Sequence, residues 1–119
     1  MKKAKIVAGV ALFCGMVVGT VAHADISCVG TLGGVLLYSD GSVMIQGSWR
    51  GDWTMICNTQ TGWGSIDGST CFAWYAAAVS AAKSHTGVQT YYYGSTYTCA
   101  NLPTYSSTPV PVYLLISAN

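Results

Sequence analysis

Residues 69–84 read STCFAWYAAAVSAAKS, a stretch with six alanines and neither glycine nor proline. Alanine gives up no side-chain entropy in a helix. Phe72, Tyr75 and Val79 fall on one helical line, and Cys71, Tyr75, Ala78 and Ala82 on its neighbour. The stretch therefore predicts a helix. Asp67 or Ser69 is placed to cap its first amides, Lys83 and His85 lie at the negative end of its dipole, and Gly87 offers a stop. After the first turn only Ser80, Lys83 and Ser84 are hydrophilic. So thin a polar face fits first a helix lying on a small barrel, and second one that also packs against neighbouring subunits.

Outward from the helix the chain reads as strands. Val29 to Tyr38 is rich in Val, Leu and Gly; Ser39-Asp40-Gly41-Ser42 supplies a turn; Val43-Met44-Ile45-Gln46 resumes an extended pattern, and the Asp-Gly pair between them signals a hairpin. A third strand fits Trp53 to Cys57. Residues 58–69, with Gly62, Gly64 and Gly68, have no periodicity and read as a loop. Beyond the helix, Val88 to Tyr93 alternates, with Val88, Thr90 and Tyr92 on one face and Gln89, Tyr91 and Tyr93 on the other; Tyr91 and Tyr93 are assigned outward. Leu102 to Pro109 is an irregular connection, and Val110 to Ile116 a closing strand with Pro111 near its start. Three strands, a helix and two strands is the order of a five-stranded OB-like barrel, mainly β, with its helix between strands 3 and 4.

The first 24 residues read as a cleavable export signal. Lys2, Lys3 and Lys5 make a basic start, Ile6 to Val18 is uncharged and mostly apolar, and Ala22-His23-Ala24 supplies small residues around a bulky one before the cut. Thirteen such residues are short for a membrane span. The mature chain is then a single domain, 25–119, secreted or periplasmic. Its charged side chains are Arg50 and Lys83 against Asp25, Asp40, Asp52 and Asp67, a net of −2. With two basic residues it has no patch for a run of phosphates, so neither nucleic acid nor an anionic membrane is an expected partner.

Cys14 leaves with the signal, so four cysteines remain. An even number in a short exported domain reads as two disulfides. The barrel order brings Cys57, at the end of the third strand, beside Cys71 at the helix start, and Cys99 beside Cys28, so the expected pairs are Cys57–Cys71 and Cys28–Cys99. The other connectivities would join opposite ends of the barrel. A metal site is not expected, since no cysteine pair has knuckle spacing and His85 is the one mature histidine.

The plan of Cys28 with Gly30, Trp53 with Cys57, Cys71 with Trp74, and the run Tyr91-Tyr92-Tyr93 resembles small secreted bacterial proteins of unknown function. More distantly it is similar to the OB-fold B subunits of the subtilase-cytotoxin and pertussis-toxin type, which are exported, disulfide-bonded, pentameric and glycan-binding. The resemblance implies a binding module and a homo-oligomer. In those subunits a serine before the first-strand glycine contacts sugar, and Val29 takes that place here. Tyr92 is the nearest match to their tyrosine on the strand after the helix.

The candidate contact residues are Trp49, Arg50, Asp52 and Trp63 in or beside loops, with Tyr91, Tyr92 and Tyr93. Flat rings, a forked donor and a carboxylate suit sugars, whose C–H faces stack on rings while their hydroxyls need directed partners. Arg50 and Asp52 are also expected to form a loop ion pair. No catalytic residue or cofactor is expected: the chain has no glutamate, its aspartates are scattered, and no lysine follows a glycine-rich loop. The expected function is an exported, non-enzymatic binding module whose ligand is a glycan, or alternatively a protein or inhibitor that binds another exported protein.

Overall fold

The computed structural model describes residues 23–117; all of the expected signal but its last two residues lies outside them. Six strands form two antiparallel three-stranded sheets. The strands are β1 (Ala24–Gly30), β2 (Leu32–Leu37), β3 (Ser42–Gly47), β4 (Trp53–Asn58), β5 (Val88–Ser95) and β6 (Tyr113–Ile116); α1 (Gly68–Ser84) joins β4 to β5. The sheet orders are β1-β5-β6 and β2-β3-β4.

The expected five-stranded OB-like barrel is therefore wrong. Among the described residues there are six strands in two sheets, no barrel closes, and the helix follows the fourth strand. The cause lies at Gly30–Thr31. The run expected as one strand from Val29 pairs with β5 as far as Gly30, opposite Val88, and with β3 from Leu32, opposite Gly47. Between them Thr31 changes partner: its N–H donates to the Ser48 hydroxyl (3.1 Å) and its carbonyl accepts from the Ser48 N–H (2.9 Å). A Cβ on Gly30 would collide with that hydroxyl, so glycine is what lets the two chains approach. On the other side, β4 pairs with the distant segment only as one isolated parallel bridge, Thr54 to Tyr105, beside a side-chain bond from the Met55 N–H to Thr108, and β6 is four residues long.

Other local expectations hold. Gly41 (φ +92°) makes the β2–β3 turn, where the Asp40 carboxylate accepts from the Ser42 N–H at 2.9 Å. Asp67 caps α1 by accepting from the Thr70 N–H at 2.7 Å. The helix ends earlier than Gly87: His85 takes the left-handed conformation (φ 55°), and the Thr86 N–H closes on the Ala81 carbonyl. Both expected disulfides are present, Cys28–Cys99 and Cys57–Cys71.

The core lies between α1 and the sheets, with Val43, Ile45, Ile56, Cys57, Cys71, Ala78 and Val88 buried together. A second cluster holds Cys28, Tyr92 and Leu102, and Trp49 packs against both. β3 is buried on both faces, and the 102–112 segment runs against its neighbour β4, where the Thr108 hydroxyl accepts from the Met55 N–H and lies 2.7 Å from the Tyr105 carbonyl.

Two stability outcomes follow from this packing. A crosslink removes more entropy from the unfolded chain the longer its loop, so Cys28–Cys99 (separation 71) contributes about 4 kcal/mol and Cys57–Cys71 (separation 14) about 3 kcal/mol. Denaturant titration of the two double-alanine variants should show that order. The Tyr92 and Thr90 hydroxyls are both buried without a hydrogen-bond partner, and burial pushes the Tyr92 phenol up. Tyr92→Phe should thus leave stability unchanged or raise it by about 1 kcal/mol, whereas a loss of more than about 1 kcal/mol would show that the hydroxyl is satisfied in solution.

Candidate functional site: the open face of β1–β5–β6

Period-two alternation sorts β5 cleanly. Val88, Thr90 and Tyr92 are buried, while Gln89 and Tyr91 are half-buried and Tyr93 is 69% exposed on the opposite face. Register fixes their neighbours. Tyr91 stands between Ser27 of β1 and Tyr113 of β6, and Gln89 between Val29 and Leu115. The side chains of these two rows share one open sheet face.

The tyrosines contact one another. Tyr91 and Tyr113 stack with ring centroids 5.2 Å apart, and Tyr91 meets Tyr93 edge-on at 5.5 Å. Each such pair is worth about 0.5–1.5 kcal/mol beyond its burial. Polar tips are fixed as well. The Tyr91 hydroxyl donates to Asp25 at 2.8 Å, the Gly94 N–H donates to the other oxygen of the same carboxylate at 2.9 Å, and the Gln89 amide donates to the Tyr113 hydroxyl at 2.8 Å. Val29 (62% exposed) and Leu115 (47%) flank this patch with apolar surface.

The structure separates the residues predicted from sequence. Tyr91 and Tyr93 lie on the open face, and Tyr92 is interior at 1% exposure. Trp49 is a core ring: it packs against both clusters, beneath a Gly47 whose Cβ would strike it. The expected ion pair of Arg50 and Asp52 does not form, because each is taken by backbone. Arg50 Nε donates to the Leu102 carbonyl at 2.8 Å, and the Asp52 carboxylate accepts from the Trp53 N–H at 2.7 Å. Trp63 is half-buried in the loop before α1, where it bridges to Ile66. None of these four makes a ring contact with the tyrosines, whose ring contacts are mutual.

Sequence reasoning missed Tyr113, Asp25, Val29 and Leu115 as members of the face, while the alternation in β5 already places Gln89 with Tyr91 and Tyr93. Tyr113 and Leu115 depend on the β5–β6 register, which no local signal sets. Among the described residues there is no concave pocket and no group of three His, Cys, Asp or Glu side chains able to hold a metal ion, and no helix is long and apolar enough to cross a membrane. The site is an open sheet face. Compared with known proteins, the chain matches no family model, no curated protein and no solved structure.

Among the described residues Asp25 has no basic partner, yet the Gly94 amide first and the Tyr91 hydroxyl second hold its carboxyl below the ordinary value of 3.8. The same hydrogen bond, with the Asp25 charge, pushes the Tyr91 phenol up. A carboxyl depressed by folding stabilises the fold above its unfolded pKa of about 3.9, and the contribution is lost as pH falls through the lower folded value. NMR titration should place the Asp25 midpoint below 3.8, and Tyr91→Phe should raise it. A wild-type midpoint at or above the ordinary value would mean that the two donors are not engaged.

Proposed function

We propose that this chain is an exported, non-enzymatic binding module, and that the open face of β1–β5–β6 is where it docks another exported protein. Residues 1–24 serve as the export signal in this reading. Two disulfides are compatible with a secreted or periplasmic location. The observation that carries the reading is the group of three tyrosines on a solvent-facing sheet, flanked by exposed Val29 and Leu115. Tyrosine is enriched at protein interfaces because its ring buries a large area while its hydroxyl stays paired.

A protein partner fits this face better than a sugar does. Stacking a sugar needs an open ring face, and Tyr91 and Tyr113 turn faces on each other. The open face also has none of the concavity that small ligands favour. A glycan is the second reading, supported by Tyr93, which stands exposed next to the Gly94 whose amide holds the Asp25 carboxylate.

Alanine substitution of interface tyrosines commonly costs 2 kcal/mol or more, so Tyr93→Ala and Tyr113→Ala should each weaken binding by about thirtyfold. Partners are retained on the immobilised domain from exported fractions, identified, and titrated singly by calorimetry, with a glycan array run beside them. Phe72→Ala, at a 57% exposed position on α1, is the control and should bind as wild type. Binding that survives both tyrosine changes but falls with Phe72→Ala would overturn the assignment of the face. Loss confined to array glycans would replace the protein partner by a sugar.

A further inference from the structure

The fold holds both sides of the bond that export would cut. Ala24 pairs with Ser95 at the start of β1, and His23 Nδ1 lies 3.1 Å from the Gly94 carbonyl. Directly after the bond, both carboxylate oxygens of Asp25 are taken, one by the Gly94 N–H and one by the Tyr91 hydroxyl. Ile26 pairs with Tyr92 and packs against the second core cluster, and Cys28 is crosslinked to Cys99. Proteases bind substrate as an extended strand running several residues to either side of the scissile bond. Here Ala24 and the residues after it as far as Gly30 are already a strand of the protein's own sheet, with His23 tied to Gly94 just before it.

We infer that the Ala24–Asp25 bond is cut only before β1 closes on β5, so that signal removal and oxidative folding compete, with Asp25 as the latch that seals the uncut form. This rests on the reading of residues 1–24 as a signal cut after Ala24. The chemistry is amide hydrolysis by the peptidase. Water adds to the Ala24 carbonyl carbon, the C–N bond breaks, Ala24 leaves as a carboxylate, and Asp25 keeps the proton as an N-terminal ammonium. Cutting after closure requires β1 to open first, and the rate then follows the small open population. Early formation of Cys28–Cys99 therefore traps the precursor with its signal attached.

The test uses the 119-residue chain, signal segment included, and a purified signal peptidase in detergent micelles. One sample is folded and oxidised; the other is diluted from denaturant straight into the reaction with dithiothreitol. The folded sample should be cut about tenfold or more slowly. Tyr91→Phe, and separately Cys28→Ser with Cys99→Ser, leave residues 22–25 untouched and should each speed cutting of the folded form. Tyr91→Phe keeps the fold's crosslinks and so reads the latch even where the cysteine variant does not fold. Equal rates for the folded and freshly diluted wild type, both yielding Asp25 on N-terminal sequencing, would overturn the latch and leave the signal reading intact. A different N-terminus from the freshly diluted sample would overturn the signal reading, and the latch with it.

Discussion

The change of partner at Gly30–Thr31 is the constraint on which the arrangement turns. One extended run serves two sheets, because a residue without a Cβ lets Ser48 reach the backbone where pairing with β5 ends and pairing with β3 begins. That bend directs Cys28 and Leu32 into separate parts of the core, with Trp49 between them. It also leaves the outer side of β1–β5–β6 uncovered, since α1 packs chiefly on the other sheet and its connection. A side chain at residue 30 would push the Ser48 hydroxyl off the Thr31 N–H and press on the Trp49 ring.

Once β1 and β5 are registered, alternation does the sorting. Cys28 opposite Thr90 places the disulfide on the inner face, and Ser27 opposite Tyr91 puts a tyrosine outside. The two cannot be exchanged independently, because a slip of one residue would turn Tyr92 outward and bury Tyr91 with its Asp25 partner. Cys28–Cys99 pins the register from one end and the Asp25 clamp from the other. The open face is thus a by-product of a covalently fixed core, and its tyrosines stand ready without a loop having to order.

Much of this could be read from the residues, and the rest could not for identifiable reasons. Asp40-Gly41, the alanine-rich helix with its Asp67 cap, and the parity of β5 are set by neighbours within a few positions, and all three appear as expected. The disulfide pairing was right although the barrel used to derive it was not. It needs only that β4 lead to the helix and that β1 and β5 run antiparallel. The two-sheet split was illegible because a run of Val, Leu and Gly looks the same whether it pairs with one partner or two. Trp49 and Arg50 read as loop residues whose partners would be a ligand or a nearby carboxylate. The long 102–112 segment supplies the Leu102 carbonyl that holds Arg50, and a contact 52 residues away leaves no local trace. Tyr113 joined the face for the same kind of reason, through register alone.

Tyrosine accessibility, measured residue by residue by hydroxyl-radical footprinting of the oxidised domain, bears most directly on the claim that a pinned β1–β5 register presents Tyr93, Tyr91 and Tyr113 to solvent. The account expects Tyr93 to react fastest, Tyr91 and Tyr113 more slowly because their ring faces cover each other, and Tyr92 to be protected until the protein unfolds. Modification of Tyr92 at a rate matching Tyr93 in the native state would mean that the strand sits one residue out of register, and would contradict it.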